Sequence, residues 1–326
     1  MDSRRNILIA PLDWGLGHAT RCIPLIRVLQ EMGHRVVIAS TGPSGMLLEQ
    51  EFPNLERVEL PGFSVTYSRQ PWMSLHLARQ VPGFLKSIRQ EHTLTQRIVS
   101  EWGIDTIISD NRYGVWSKSC KNIIITHQLF LPVPRLAKDW ATRFVFDKIA
   151  FFDQCWVPDL PGKLNLSGAL SHRSNLPENV HFIGVLSRFS VQKEAVVPGT
   201  WLAMISGPEP SRSLFARQLN KFFIKNDITA TLIGGDPSQG AGMRTEGKVT
   251  HIHHLPAPEM ESLIARHENI ICRAGYSSIM DLAAMHRTAW IVPTPGQREQ
   301  EYLARYLQNQ GWFHSVLQSR IQEIDV

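Results

Sequence analysis

The chain has 326 residues, about twice the length of an ordinary domain, which favours two domains. Hydrophobic residues make up 43% of the chain and charged residues 19%, a balance that supports folded cores and excludes a disordered protein. The formal net charge is +5, and the basic excess is not gathered in a tail. No run of about 18 apolar residues occurs, so the sequence predicts no transmembrane helix.

The cysteine spacing argues against metal ribbons and disulfide scaffolds. None of the four cysteines shares a C-x-x-C spacing with another: Cys22, Cys120, Cys155 and Cys272. The apolar stretch Ile7–Ile9 near the start is too short for the core of a signal peptide. We therefore expect a reduced, cytoplasmic protein.

Short β-branched runs alternate with helical patterns along the first half, which is typical of α/β layers. Apolar residues at helical spacing predict a helix over Ala19–Met32. The predicted strands are Asn6–Ala10, Arg35–Ser40, Thr106–Ser109, Asn122–Thr126, Cys155–Val157 and Val180–Ile183.

The same pattern begins again after Gly184–Gly199, a stretch with little periodicity that we interpret as an interdomain hinge. Helices are predicted over Ser211–Phe223 and Ser278–Met285, and strands over Leu202–Ile205, Thr229–Ile233, His251–His253, Asn269–Cys272 and Ala289–Val292. The predicted fold class is α/β, with two Rossmann-like domains, residues 1–185 and 186–326, that face a central cleft. Ligands of such sheets bind at the carboxyl ends of the strands.

The loop after the first strand carries Gly15, Gly17 and His18 directly before the predicted helix. A glycine pair lets a ligand approach the backbone closely. The loop is not a dinucleotide fingerprint, because Thr20 stands at the third glycine position, and the chain contains no P-loop motif. A helix N-terminus disfavours imidazolium, so His18 is a candidate general base; the alternative is that it only caps the helix.

Other polar residues of the first half follow predicted strands and are candidates for binding an acceptor. They are Asp13, Asn111, Arg112 and His127, next to Asp110 and Gln128. Asp13 and Arg21 are interpreted as structural or acceptor-positioning residues. For the residues near positions 111 and 127, packing and turn formation are an equally good explanation.

The second half contains a strand, a glycine turn, two hydroxyl residues and an apolar helix in direct succession. Ser277 and Ser278 at the helix start, beside Gly275, predict an anion site. Asp281 lies one turn later, where its carboxylate can reach a ribose diol, and Arg273 adds a cation. A simple helix cap would explain one serine but not the whole run.

Three further loops of the second half are predicted at the same sheet edge. The loop at Ser206 suits phosphate or ribose. The loop at Leu255 combines apolar side chains with exposed backbone, which suits a planar base. The loop at Gln297 suits a hydroxyl-rich sugar. A solvated helix start is the alternative for the third. Together with Gly17, their candidate donor-binding residues are Ser206, Gly207 and Glu209; Leu255 and Met260; and Gln297, Gln300 and Glu301.

These motifs resemble those of the GT-B glycosyltransferases, and most closely the MurG-like, family 28-type enzymes. The Gly15–His18 loop is similar to the family's glycine-histidine loop, in which the histidine is the proposed base. The run Cys272–Gly275 with Ser278 and Asp281 looks like its donor motif. Glu301 stands where the family has a second glutamine, and the first loop lacks the family's denser glycine run.

The resemblance implies an inverting transfer of a sugar from a UDP-sugar, such as UDP-GlcNAc, to a hydroxyl of a glycan or lipid-linked acceptor in cell-envelope synthesis. His18 would activate that hydroxyl. The chain has no Asp-x-Asp motif, so we expect neither a metal nor another cofactor, and the helix start near Ser277 would stabilise the leaving diphosphate. Uridine as the base rests on the resemblance alone.

A basic and aromatic segment, Phe63 to Arg97, predicts peripheral contact with anionic lipid at the inner face of the plasma membrane; an ordinary solvated helix is the alternative. It includes Arg69, Trp72, Arg79, Phe84, Leu85, Lys86 and Arg89. Nucleic-acid binding is not expected, because the basic residues form no dense stripe. A UDP-sugar 2-epimerase of the same fold and a non-catalytic nucleotide-sugar-binding protein remain the alternative functions.

Overall fold

The structure is a computed structural model that describes residues 4–62, 73–235 and 242–325; for residues 73–80 it describes the backbone only. The chain divides into two compact units, Met1–Leu186 and Ser187–Val326, one residue beyond the boundary proposed from the sequence. We refer to them as unit 1 and unit 2.

Unit 1 is built on a seven-stranded sheet in which every described pairing is parallel, with the order β3-β2-β1-β4-β5-β6-β7. Its strands are β1 (Asn6–Pro11), β2 (Arg35–Ala39), β3 (Glu56–Val58), β4 (Thr106–Asp110), β5 (Lys121–Ile125), β6 (Gln154–Val157) and β7 (Val180–Phe182). Its helices are α1 (Leu16–Glu31), α2 (Gly42–Glu51), α3 (Met73–Trp102) and α4 (Lys138–Ile149).

Both faces of this sheet are buried, which explains why its central strands are continuous apolar runs. Ile7 and Ile9 of β1 pack with Ile23 and Ile26 of α1, whereas Leu8 belongs to a second core on the opposite face, with residues of α3. Successive strand residues therefore alternate between two layers of helices. The carboxyl edge of the sheet is left for polar side chains.

The seven-stranded sheet of unit 2 has the order β10-β11-β9-β8-β12-β13-β14; its six parallel strands repeat the order of the first six strands of unit 1, and β10 is an antiparallel edge strand. Its strands are β8 (Val197–Met204), β9 (Thr229–Ile233), β10 (Met243–Glu246), β11 (Val249–Ile252), β12 (His267–Arg273), β13 (Trp290–Val292) and β14 (His314–Ser315). Its helices are α5 (Ser211–Lys225), α6 (Ala257–Arg266), α7 (Tyr276–Ala284) and α8 (Arg298–Asn309).

The two parallel-dominated sheets confirm the predicted α/β class. All eleven predicted strands are present, most with ends shifted by one or two residues, and β8 begins at Val197, five residues before the prediction. Short or edge strands were missed: β3, β10 and β14. The helices α2, α3, α4, α6 and α8 were not assigned from the sequence either, although the basic segment had been allowed a helical form.

Candidate functional site

Three strands of unit 1 bring polar side chains together at their carboxyl ends. His18 lies in the first turn of α1 after β1, Asp110 is the last residue of β4, and His127 follows β5. Arg21, one turn after His18, completes a set of four residues that we call the His18 centre. The register places Pro11 of β1 opposite Asp110 of β4, so residues about 90 positions apart in sequence become neighbours.

Asp110 is the buried anion of the His18 centre, with a side chain that is 0% exposed. The Arg21 Nε donates to its Oδ2 at 2.5 Å, and the Arg21 Nη2 donates to its Oδ1. Burial by itself would raise the pKa of Asp110, but the charges and hydrogen bonds of Arg21 and His18 lower it to about 2. Asp110 is therefore ionised at any physiological pH.

His18 is the partly accessible member of the His18 centre; 18% of its side chain is exposed. Its Nδ1 lies 3.2 Å from Asp110 Oδ1 and 2.7 Å from Arg21 Nη2, so it can either donate to the carboxylate or accept from the guanidinium. Burial and the Arg21 charge lower the pKa of His18, and they outweigh the opposite effect of Asp110. The imidazole is therefore neutral near pH 7, for more reasons than the helix N-terminus that the sequence suggested.

His127 is buried on the other side of Arg21. The Arg21 Nη1 lies 3.3 Å from His127 Nδ1, and the histidine Nε2 lies 3.4 Å from the Gln128 amide nitrogen. Arg21 thus contacts both histidines and the carboxylate, which makes it the residue that holds the His18 centre together. A contact between His127 and an acceptor stays a prediction.

Arg112 does not have the exposed position expected of an acceptor ligand. Its guanidinium is fully buried, 3.1 Å from Glu91 Oε1 and 3.5 Å from Asp13 Oδ2, and it donates to the carbonyl oxygens of Leu60 and Pro61. These partners belong to the loop after β1, the loop after β3 and the second half of α3, which Arg112 connects. We therefore correct Arg112 from an acceptor-binding residue to a structural one.

Asp13 and Asn111 each keep one buried polar atom without a hydrogen-bond partner among the described residues. Asp13 Oδ2 accepts from the Thr41 hydroxyl at 2.9 Å, whereas its Oδ1 has no partner. Asn111 has a left-handed backbone with φ 57°, and its Oδ1 is also without a partner. Buried polar atoms normally find partners, so these two oxygens keep Asp13 and Asn111 as candidates for binding a hydroxyl-bearing ligand.

In unit 2 the loop after β12 has the open geometry that an anion site needs. Gly275 is the N-cap of α7, with an ordinary φ of −81°, and a Cβ built on it would meet no atom within 4 Å. Ser277 and Ser278 are the second and third residues of the helix, as the sequence predicted. The first N–H groups of a helix and its dipole favour a negatively charged ligand at this point.

The loop between β8 and α5 also requires glycine, but its acidic residue has a structural role. Gly207 has a φ of 104°, a conformation that other residues rarely adopt. Glu209 accepts hydrogen bonds from Arg212 Nε at 3.0 Å and from the Ser213 hydroxyl at 2.9 Å. Its carboxylate therefore holds the start of α5, and a contact between Glu209 and the donor stays a prediction. Ser206 and Gly207 stay predictions.

Arg273 is buried beneath these loops and does not reach a ligand site. Its guanidinium lies 3.9 Å from the ring centroid of Phe215 and donates to the carbonyl oxygens of Ser211 and Pro293. Burial lowers its pKa to about 10, so it still carries a charge at neutral pH. The expected direct contact with the diphosphate is therefore corrected: Arg273 connects two loops from below.

Asp281 lies on α7, where its Oδ1 accepts from the Ser187 hydroxyl at 2.6 Å. Burial raises its pKa to about 6, although the Arg188 charge and the Ser187 hydrogen bond act in the opposite direction. The carboxylate therefore already has a partner at the first residue of unit 2. Binding of a ribose would require Asp281 to share this position with Ser187, and it stays a prediction.

The polar residues after β13 were expected on a loop, yet only Gln297 precedes the helix. Gln300 and Glu301 lie in the first turn of α8 and turn back onto the loop. The Thr294 backbone N–H donates to Gln300 Oε1 at 2.8 Å, and the Gly296 N–H donates to Glu301 Oε1 at 2.9 Å. The helix start was the alternative that the sequence left open, and these two side chains stabilise the loop conformation.

Of the two apolar residues proposed to border a planar base, Leu255 lies in the loop before α6 and Met260 lies within that helix. Both side chains are half-buried. The Met260 N–H donates to the Pro256 carbonyl oxygen at 3.1 Å, so this amide is committed to the helix. Backbone hydrogen bonds to a planar nucleotide base would therefore have to come from the loop that precedes α6.

The segment predicted to contact lipid is helical from Met73, and Arg69, Trp72 and the side chain of Arg79 lie outside the described residues. Phe84 faces inward, with its ring centroid 5.9 Å from that of Trp14 and 6.5 Å from that of Phe144. Leu85, Lys86 and Arg89 are exposed. Among the described residues, no helix is both long and apolar enough to cross a membrane.

Comparison with solved structures identifies the fold of the chain. The whole-chain fold is that of the GT-B glycosyltransferases. The MurG of Acinetobacter baumannii superposes with a TM-score of 0.56 and 13% identity over 98% of this chain and 87% of the other. The spinosyn rhamnosyltransferase SpnG, complexed with thymidine diphosphate, gives a TM-score of 0.62 at 12% identity, over 95% and 86%.

Comparisons of the sequence show similarity to a glycosyltransferase domain family and to individual relatives. Residues 238–325 match the model of the glycosyltransferase family 28 C-terminal domain. An uncharacterized glycosyltransferase of Methanosarcina mazei is 22% identical over 98% of this chain and 87% of its own length. The chain therefore has the fold of the GT-B glycosyltransferases, and its C-terminal unit matches the family 28 domain over residues 238–325.

Proposed function

We propose that this glycosyltransferase transfers a sugar from a UDP-sugar, with UDP-GlcNAc as the first donor to test, to a hydroxyl of a glycan or lipid-linked acceptor, with inversion and without a metal. The observation that carries the proposal is the contact between His18 and the ionised Asp110. Sugar transfer needs a deprotonated nucleophile, and a neutral histidine next to a buried carboxylate is suited to produce one.

The proposed base is the His18 Nε2. If Nδ1–H donates to Asp110 Oδ1, Nε2 keeps its lone pair and can accept the proton of the acceptor hydroxyl. The resulting imidazolium would be stabilised by the carboxylate, which stays ionised because Arg21 is bound to it. Asp110 is thus a positioning residue that fixes the tautomer and the ring orientation of His18.

The proposed donor site is the start of α7. The hydroxyl groups of Ser277 and Ser278 and the positive end of the helix dipole would bind the diphosphate and stabilise its charge as it leaves. Gly275 leaves space for a phosphate to approach the backbone. In the proposed mechanism this helix start, rather than a metal ion, would stabilise the charge of the leaving diphosphate.

A lipid-linked acceptor would be held at the cytoplasmic face of an anionic membrane. Besides the segment predicted from the sequence, a second surface that would suit this contact lies on α4 and the turn before it. Trp140 is 61% exposed and Leu136 is completely exposed, and they stand among Arg135, Lys138 and Arg143. Exposed aromatic and aliphatic residues among cations are typical of proteins that rest on lipid headgroups.

The experiment is a transfer assay with UDP-sugars, combined with His18→Ala and a direct measurement of donor affinity. We expect the variant to lose transfer by about 10²- to 10⁴-fold while binding the donor as the wild type does. Equal transfer by both proteins would contradict the role of His18, and loss of donor binding would point to damage beyond it. Transfer that EDTA abolishes would overturn the metal-free mechanism.

A further inference from the structure

A pocket bordered by cationic side chains lies on the flank of unit 2, apart from the loops assigned to the donor. It has a volume of about 500 Å³ and is formed by the second half of α5 and the β10–β11 hairpin. This volume is within the range of small-molecule sites. Four cations line it: Arg217, Lys221, Lys225 and Arg244.

The positions of these cations follow from the local structure. Residues 217, 221 and 225 are four apart on α5, so their side chains lie along one face of the helix. The adjacent face of α5 is buried in the core of unit 2. Arg244 pairs with His251 across the β10–β11 ladder, and residues directly opposite each other in a ladder project to the same face of the sheet.

The cations of the pocket have no anionic partner of their own. In the described part of the chain, none of the four forms an ion pair or a side-chain hydrogen bond, whereas Lys248 on the same hairpin pairs with Asp227 at 2.6 Å. Glu246 of the same hairpin accepts a hydrogen bond from Asn220 Nδ2 at 3.2 Å. Unit 2 as a whole has 14 Lys and Arg against 13 Asp and Glu, so this is a local concentration of positive charge.

Two polar atoms in the wall of the pocket are buried without a hydrogen-bond partner among the described residues. They are Nε2 of His251 and Oδ1 of Asn220. His251 Nε2 lies 4.0 Å from Glu246, beyond hydrogen-bond distance. Burial and the Arg244 charge lower the pKa of His251, so the neutral ring can donate an N–H to a ligand. Ala216 and Ile224 add apolar surface next to these groups.

We propose that this pocket binds a phosphate-bearing ligand other than the sugar donor. Guanidinium groups bind phosphate oxygens in a bidentate manner, and ammonium groups add point charges, so Arg217, Arg244 and the two lysines match a phosphate or diphosphate. The apolar surface would contact an organic part of the ligand. The ligand is either a soluble phosphorylated molecule or the headgroup of an anionic phospholipid.

The test compares Arg217→Gln/Arg244→Gln with the control Arg266→Gln/Arg305→Gln, which removes two exposed cations elsewhere on unit 2. Binding of sodium pyrophosphate is measured by titration calorimetry, and binding to phosphatidylglycerol vesicles by co-sedimentation. We expect the pocket variant to bind either pyrophosphate or the vesicles with an affinity about tenfold or more below that of the wild type, because two charge-assisted contacts are lost. The control should change neither by more than about twofold.

The two measurements distinguish the sources of the phosphate. A selective loss of pyrophosphate binding identifies a soluble ligand, and a selective loss of vesicle binding identifies a lipid headgroup. If the pocket variant binds both probes as the control does, the proposal is overturned. If it fails to fold by its thermal transition, Lys221→Gln/Lys225→Gln replaces it, with the same criteria.

Discussion

Unit 1 and unit 2 have the same parallel strand order, yet they form their candidate sites from different materials. At the carboxyl edge of the unit 1 sheet, His18 and Arg21 contact the buried carboxylate of Asp110, and Arg21 also contacts His127. At the edge of sheet 2, glycines, hydroxyls and a helix start leave an open surface, and the larger side chains hold the loops from behind. The first arrangement suits proton transfer, and the second suits binding of a charged group.

The comparison teaches that a chemically active residue type is not sufficient evidence of contact with a ligand. Arg273, Arg112 and Glu209 carry the charges that a site requires, but each of them forms hydrogen bonds to protein groups. Burying a charged group is costly unless it is paired and hydrogen-bonded. Such residues are therefore strongly constrained by structure before any ligand is considered.

The largest effect that would distinguish the candidate sites of the two units is expected for Asp110→Asn, which keeps the shape of the side chain but removes its charge. We expect kcat to fall by about 10²- to 10⁴-fold, because the neutral amide no longer fixes the His18 tautomer or stabilises its imidazolium. Donor affinity, measured by calorimetry, should be unchanged because the donor site belongs to unit 2.

The matched control is Asp159→Asn, since Asp159 is also a buried carboxylate of unit 1 and lies 3.1 Å from His172 Nε2. Both variants should lower the thermal transition, but only Asp110→Asn should reduce kcat by more than tenfold. Similar kcat values for the two would mean that Asp110 only supports the fold.

The corresponding test in unit 2 is Gly275→Val. The backbone tolerates a side chain here and the space beyond it is open, so the thermal transition should hardly change. The branched side chain would occupy the path of the phosphate, and we expect the Kd for UDP-sugar to rise by about tenfold or more, equal to about 1.4 kcal/mol. Gly275→Ala, with a smaller side chain, should have a weaker effect, and an unchanged Kd in both would show that the donor does not pass this residue.

The pH dependence of kcat tests whether the group that titrates during transfer lies in unit 1 or in unit 2. His18 must be neutral to act as a base, so kcat should be constant at higher pH and fall, by about tenfold per pH unit, below the pKa of His18, which lies under its ordinary value of 6.5. Asp110 raises that pKa, so Asp110→Asn should move the fall of residual activity to lower pH.

Asp281, with a pKa of about 6, titrates in the same range, and the profile should therefore be repeated with Asp281→Asn at saturating donor. If the fall in kcat disappears in this variant, the titrating group lies in unit 2 and the assignment to His18 is wrong.

The smallest effects are expected for substitutions of two residues at helix starts of unit 2, Ser278 and Glu209. Ser278→Ala should raise the Kd for UDP-sugar about three- to tenfold, because one hydrogen bond to the diphosphate is lost. Glu209→Gln should leave that Kd within about twofold and instead lower stability by about 0.5–1 kcal/mol, because its carboxylate bonds the start of α5. The reverse pattern, measured by calorimetry and thermal unfolding, would show that Glu209 contacts the donor.

The regular parts of the fold could be predicted because their signals are local. Strands such as Thr229–Ile233 are short β-branched runs, and α1 shows its buried face in the spacing of Ile23 and Ile26. The glycine turn before Ser277 was also visible as a strand, a turn and a helix in succession. The missed strands β3, β10 and β14 are short and mostly polar, so they lack the β-branched runs that mark the others.

The sequence alone determined which loops follow strands and which residue types they carry, because both properties depend on neighbouring residues. Only the tertiary structure decided that Asp110 meets Arg21 and His18, since that depends on β4 lying next to β1. It also decided that Gln300 and Glu301 turn back onto their own loop, and that Arg244 of β10 joins the three cations of α5 in one pocket. The physical reason is that strand order and helix packing join residues far apart in the chain, and no local periodicity records that choice.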